Sequence, residues 1–364
     1  MWYSLVGRPS LLVLILLACS QITPNPQAPA AVTPAQNALV PLSTPRPHIE
    51  PTQLRISHAM ITSSAGNYIA AEKGYFEEEG IQVEFVYSIG GTETMAFVVS
   101  GHTDIGAGLI SAGLFNAFAR NIPVKIVADH GANLPNASAG GMTFRKDLVD
   151  RGIIRQPGDL RGRKIAIATE GSAAHITLDR YLQAAGLTLS DVNVVVIPLP
   201  DTIAAFDNQA IEAAYWQEPF TTIAVERGLI IRGPIGFDIY PYQQIGGILF
   251  GPRMMADRPI GQRYMRAYVR GVRDYVKALQ ERDPVAFDEV VPILIKYTSV
   301  KDRALFEKAI PSGLKPDPIP NIQSLRDDQE WYLAHGYQTQ RINIDDFVDT
   351  SFVEQAIREL GSYK

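Results

Sequence analysis

The sequence predicts a mixed α/β chain in two similar parts, on three observations. Strand, small polar loop, helix and strand follow one another over residues 54–86, and the same order begins again at Lys164. Within each unit the apolar residues change from helical spacing to strict alternation. A turn-and-strand segment at 101–108 is weakly repeated at 207–216.

The first unit carries the clearest pattern. Tyr68, Ile69, Ala70 and Ala71 begin an apolar helical face, and Gly74 follows Lys73 where a helix needs a left-handed terminal residue. Tyr75 and Phe76 then stand opposite Glu77, Glu78 and Glu79, the pattern of a half-buried surface turn, and Gly80 repeats the stop. Ile81, Val83 and Phe85 alternate with Gln82 and Glu84, as in a strand. The loop between the first strand and the helix is Thr62-Ser63-Ser64-Ala65-Gly66-Asn67. Unpaired helix N–H groups beside small hydroxyls make a cradle for a small ligand.

This order, and the wording EKGYF followed by GI and VE, resembles the type II substrate-binding proteins of ABC importers. The branch in question takes sulfonates, taurine, nitrate, thiamine pyrimidines and riboflavin, and the riboflavin-binding members are the nearest in kind. The resemblance implies the two-lobed type II periplasmic binding protein fold, with a ligand cleft between lobes joined by two crossing strands. It also implies delivery of the cargo to an ABC permease and its ATPase.

Gly90-Gly91-Thr92 precedes a helix from Glu93 that Thr92 can cap. SGHTDIGAG at 100–108 resembles the family's strand that ends beneath the ligand. Ser111 caps a helix at 112–120 whose Leu114, Phe115 and Phe118 read as core. Residues 124–128 form a buried strand, 129–139 a loop and 141–146 a strand. DLRGRK at 159–164 resembles the opening of the family's second lobe. A strand at 164–168, a polar loop at 169–172 and a helix at 173–185 follow, then a strand at 192–197 and a helix from 203. In 207–216 Glu212 stands where the family has aspartate. Gln217-Glu218-Pro219-Phe220 opens another helix, with proline in its first turn. Strands are expected at 229–231 and 246–250, and helices at 254–279, 284–297 and 302–310. Arg263, Arg266, Arg270 and Arg273 make a basic stripe, read as a solvated face able to dock a partner. The proline-rich stretch 310–320 reads as a rigid link, and Phe347 and Phe352 as cover for the first lobe. Lobe one is therefore expected at 53–142 and 248–364, and lobe two at 143–247.

At the amino terminus LLVLILL at 11–17 follows Arg8 and precedes Ala18 and Cys19. Seven apolar residues are too few to span a bilayer but suit an export signal at 1–18. Leu16-Leu17-Ala18-Cys19 resembles a bacterial lipobox, which implies a palmitate-type lipid on Cys19 and a place on the extracytoplasmic face of the cell membrane. Conventional cleavage of the signal is the alternative. Residues 19–52 carry eight of the 25 prolines and read as an extended tether.

Composition narrows the function. A net charge of -5 and a pI near 5.7 argue against nucleic acid as a partner. The single cysteine excludes an intrachain disulfide and a cysteine-based zinc site, and no two of the six histidines stand at metal-ligand spacing. No nucleophile elbow or phosphate loop is present, so no catalytic residue, metal or cofactor is expected. A fungal relative of the fold builds thiamine pyrimidine with a cysteine-rich run that this chain lacks, which places an enzyme behind a receptor. A ligand-gated sensory module is a third class. A monomer is expected, with a small-molecule cargo, the permease and its ATPase, and the membrane through its lipid as partners.

The loops expected at the cleft, 62–67, 90–93, 106–111, 169–172, 215–218 and 240–244, contain Glu93, Glu170 and Glu218 but no Lys or Arg. That balance disfavours an anion, although helix N-termini can hold one. The candidate ligand-binding residues are Ser63, Asn67, Tyr68, Thr92, Ser111, Ser172, Tyr215, Trp216, Glu218, Tyr240 and Tyr242. A flat ring between aromatics gains about 1 kcal/mol beyond its buried area, and amides and carboxylates pair with ring N–H groups. The residues thus point to a neutral aromatic heterocycle. The resemblance supplies the names: riboflavin first, a hydroxymethyl aminopyrimidine second, and taurine, another sulfonate or nitrate if the helix termini prevail.

Overall fold

In a computed structural model of the chain, residues 51–88, 91–138 and 140–364 are described, without the side chains of Gly91 and Thr92. The export signal, Cys19 and the tether up to residue 50 lie outside the described residues. The described residues form one compact unit.

Among the described residues, alternation and buried apolar runs produce ten strands: β1 Thr52–His58, β2 Ile81–Tyr87, β3 Ile105–Leu109, β4 Lys125–Ala132, β5 Gly140–Arg145, β6 Lys164–Ile167, β7 Asn193–Val196, β8 Ala213–Gln217, β9 Ile230–Ile235 and β10 Gln244–Phe250. They make two five-stranded sheets, ordered β2-β1-β3-β10-β4 and β7-β6-β8-β5-β9. β1 runs parallel to β2 and β3, with Leu54 opposite Val83 and Ile56 opposite Phe85. β6 runs parallel to β7 and β8 in the same way. β10 is antiparallel to both its neighbours, and so is β5 in the second sheet. The chain therefore crosses between sheets twice, between β4 and β5 and between β9 and β10.

Gly74 and Gly80 take the left-handed conformation expected of them, at φ 75° and 65°. The basic stripe has a different use from the one its spacing suggests. Arg266 pairs with Glu79 at 2.5 Å and Glu359 at 2.9 Å, Arg270 with Glu78 at 2.7 Å, and Arg273 with Asp317 at 2.7 Å. Arg263 donates to the Glu79 carbonyl at 2.9 Å. The stripe clamps the acidic turn 77–79 onto the long helix, so tertiary charge pairing rather than solvent holds it.

Two other expectations change. Residues 129–132 are strand rather than loop, because Asp129, Gly131 and Ala132 pair with β10 through bulged register. The helix expected at 254–279 breaks into Pro252–Ala256 and Arg258–Tyr275, with a wider turn at Val276–Gln280. Asp257 stops the first helix and caps the second, accepting from Ile260 N at 3.2 Å, with Pro259 in the first turn.

Tyr264, Tyr268, Val272 and Tyr275 of Arg258–Tyr275 are buried against Tyr68, Ile69 and the first sheet. Gly271 lets two helices touch: a Cβ there would fall 2.1 Å from the Gly66 carbonyl oxygen. Phe352 is buried edge-on against Phe250 at 5.1 Å, and Phe347 stacks on Phe118 at 4.5 Å, both covering the first sheet.

The two crossings meet in a buried polar junction. Gln243 donates to the Ala173 carbonyl at 3.1 Å and to Asp328 at 3.4 Å, and accepts from Thr177 at 2.6 Å and Asn133 at 3.3 Å. Asn133 in turn accepts from Ser138 Oγ at 2.7 Å. Next along, the Gln244 side-chain amide donates to Asp129 and to the Gly131 carbonyl at 3.1 Å, while its oxygen accepts from Asn321 N at 2.7 Å. Burial raises Asp328 to about 8 and also raises Asp129.

Gly271→Ala is expected to lower unfolding stability by about 2–3 kcal/mol through overpacking, read by chemical denaturation. Asp328 binds a proton more readily folded than unfolded, so its contribution is complete below the unfolded carboxylate value and declines as pH rises through about 8. Thermal melts from pH 5 to 9 should therefore slope downward with pH, and Asp328→Asn should flatten part of that slope.

Candidate functional site

Four small adjoining pockets lie along the cleft between the sheets. One is lined by Thr62, Ser63, Leu109, His130, Gln217 and Ser312, among others. Its neighbour shares Leu109, Gln217 and Ile245 and adds Thr169, Ser172 and Tyr215. The other two share Glu218 and Ile310, and take in Trp216, Thr221 and Arg232 on one side and Tyr275, Phe306 and Pro311 on the other. Strand ends β3 and β8 and the start of β10 thus meet at the cleft, as small residues at a strand end allow.

Helix termini line it as the polar loops suggest. Ser111 caps Ala112–Ala119, accepting from Leu114 N at 3.4 Å, and Ser172 caps Ala173–Gln183, accepting from His175 N at 3.3 Å. These two caps meet across the cleft as a β-bridge, with Ala112 N donating to the Gly171 carbonyl at 2.8 Å. Tyr337 adds a hydrogen bond to Glu170 at 2.8 Å, and Lys308 pairs with Glu226 at 2.7 Å. The loops of the two sheets are therefore in direct contact.

The candidate residues divide. Ser63, Ser172, Tyr215, Trp216 and Glu218 line the pockets, and Ser111 touches Ser172 beside them. Asn67 and Tyr68 do not: both are fully buried in the core of the first sheet. Asn67 accepts from Tyr264 at 2.7 Å, while Tyr68 stacks on Tyr297 at 4.8 Å and bonds His58 at 2.6 Å. Tyr240 is buried beneath the Arg180 guanidinium at 3.5 Å, and Tyr242 is half exposed against Phe237. Trp216 is almost wholly covered by Phe206 and Phe220, with its N–H on the Leu199 carbonyl at 3.1 Å. The stack of aromatics expected around a ligand is thus not assembled by these residues, since most of them fill cores. The Thr92 side chain lies outside the described residues.

Arg232 of β9 is the charged lining residue that loop composition misses. It is the one Lys or Arg lining the four pockets among the described residues. Arg232 bonds both Glu218 and Thr222, and Glu218 accepts further from Thr222 N at 3.0 Å and Thr222 Oγ at 2.7 Å. Charge in the cleft is therefore closed on itself. His130 is the other missed residue, its place hidden because 129–132 read as loop.

Known proteins resemble the chain in sequence and in fold. Residues 61–232 match the NMT1/THI5-like family. That match spans somewhat less than half of the chain. The chain is 27% identical over 271 residues, 72% of each chain, to the riboflavin-binding protein RibY of Chloroflexus aurantiacus. It is 30% identical over 128 residues to a 4-amino-5-hydroxymethyl-2-methylpyrimidine phosphate synthase of Aspergillus parasiticus, covering 35% of this chain and 34% of that one. The periplasmic nitrate-binding protein NrtA of Synechocystis superposes with a TM-score of 0.71 at 15% identity, over 86% of this chain and 90% of its own. The fold is that of the type II periplasmic binding proteins.

Glu218→Gln should leave Arg232 without its carboxylate. We expect a stability loss of about 1–3 kcal/mol together with new, salt-sensitive binding of sulfate, read by melting and by titration calorimetry.

Proposed function

We propose that this chain is the substrate-binding component of an ABC importer and that its cargo is a neutral heterocycle, riboflavin before a hydroxymethyl aminopyrimidine. The observation that carries the cargo reading is the pairing of Arg232 with Glu218, which leaves no uncompensated Lys or Arg among the described lining residues. A sulfonate or nitrate would then rest on helix N-termini alone. The likeness to RibY supports the same cargo, and recognition rests more on hydroxyls, amides and aliphatic contact than on stacking.

In this reading the chain up to β4 and from β10 onward acts as one lobe and β5 to β9 as the other, so the expected bounds at 142 and 247 shift to the two crossings, about which hinge motion opens and closes the cleft. The Ser111–Ser172 contact belongs to the closed form. A lipid on Cys19 and the tether keep the receptor beside its permease on the extracytoplasmic face. Turnover is not part of the proposal, because the cysteine-rich run of the pyrimidine-forming enzymes has no counterpart in a chain with one cysteine.

Purified protein should gain thermal stability with riboflavin and quench its emission, by mass action at ligand concentrations above the dissociation constant. Stabilisation by taurine or nitrate, with riboflavin inert, is the result that would overturn the cargo reading.

A further inference from the structure

Two residues that line one pocket of the cleft each carry a buried polar atom with no hydrogen-bond partner among the described residues, Ser63 Oγ and His130 Nδ1. Ser63 is 7% exposed and His130 1%. A buried polar group without a partner costs about 1–3 kcal/mol, and at a binding site that cost is recovered when the ligand supplies the partner.

The hydrogen bonds around His130 point to what that partner is. Ser64 Oγ lies 3.2 Å from the Ala59 carbonyl and 3.2 Å from His130 Nε2. The Ala59 carbonyl accepts from Tyr68 at 2.9 Å and has a second lone pair for Ser64; with the Ser64 proton there, the Ser64 oxygen accepts from His130 Nε2–H. In that pairing the ring proton is on Nε2 and Nδ1 is a bare lone pair. Burial, with a smaller contribution from the His58 ring, lowers His130 to about 3, so the ring stays neutral. Gly246 leaves room beside this nitrogen, since a Cβ there would stand 3.0 Å from Nδ1.

Resting on the proposed receptor role, we infer that His130 and Ser63 read a lactam or imide edge of the cargo, with the ring N–H donating to His130 Nδ1 and the adjacent carbonyl accepting from Ser63. An oxyanion such as sulfonate or nitrate carries acceptors only and cannot satisfy Nδ1. His130 is thus the residue that selects for a donor-bearing heterocycle and against an anion.

Two measurements test this on the whole protein. Nitrogen NMR of the histidine-labelled protein should find His130 protonated at Nε2 and bare at Nδ1; a proton on Nδ1 would overturn the inference without reference to any ligand. Calorimetry should then find riboflavin methylated at its imide nitrogen bound at least about tenfold more weakly than riboflavin, and His130→Phe should bring the two affinities together. Equal binding of both flavins by the unaltered protein overturns the inference and leaves the receptor reading standing. If riboflavin itself does not bind, the flavin reading fails, and uracil against 3-methyluracil decides the inference: equal or absent binding of both sinks it.

Discussion

A buried amide has no water to bond with, so its partners must come from the protein, and Gln243 draws them from both parts of the chain. Thr177 and Ala173 belong to the helix packed on the second sheet. Asp328 belongs to a helix whose Leu325 and Tyr332 pack with Phe115, Ile126 and Leu249 of the first. Asn133 lies in the other crossing. The two passages of chain between the sheets are therefore joined to each other and to both bodies through one side chain. Gln244 extends the arrangement to Asp129, Gly131 and Asn321. Such a network is specific because each member is costly to leave unpaired, and it fixes where the mouths of β3, β8 and β10 fall relative to one another.

The cleft follows from that placement. Its walls are strand ends and helix N-termini contributed by both sheets, and its charge is internally neutral because Glu218 takes up Arg232 and Thr222 together. What is left for a ligand is a set of uncharged polar atoms amid Leu109, Ile245 and Ile310. Under the proposed function, binding would run through complementary hydrogen bonds in this apolar enclosure rather than through charge. No group of three or more His, Cys, Asp or Glu placed to hold a metal occurs among the described residues.

Much of the fold is legible locally. The glycine stops at 74 and 80, the serine caps at 111 and 172 and the alternation in 81–85 act over a few residues, and each forms where the sequence places it. The site is legible only in part. Ser63, Ser172 and Glu218 could be placed because they sit in short polar loops before helices. Tyr68, Asn67 and Tyr240 could not be separated from core residues, because an aromatic ring at helical spacing buries equally well against a sheet or a ligand. Arg232 and His130 escaped because each stands in a strand and acquires its meaning from a partner far away in sequence: Glu218 for the first, and for the second Ser64 and Gly246.

The sequence by itself determined the α/β class, the two βαβ openings, the helix ends and the family wording, since all of these rest on backbone preferences and short-range periodicity. Tertiary structure decided that 129–132 would join a sheet, that the arginine stripe would grip Glu78 and Glu79, and which polar atoms would be buried without partners. The reason is physical. Strand pairing, charge neutralisation and desolvation depend on groups brought together from distant parts of the chain, and no local pattern of residues records which groups those will be.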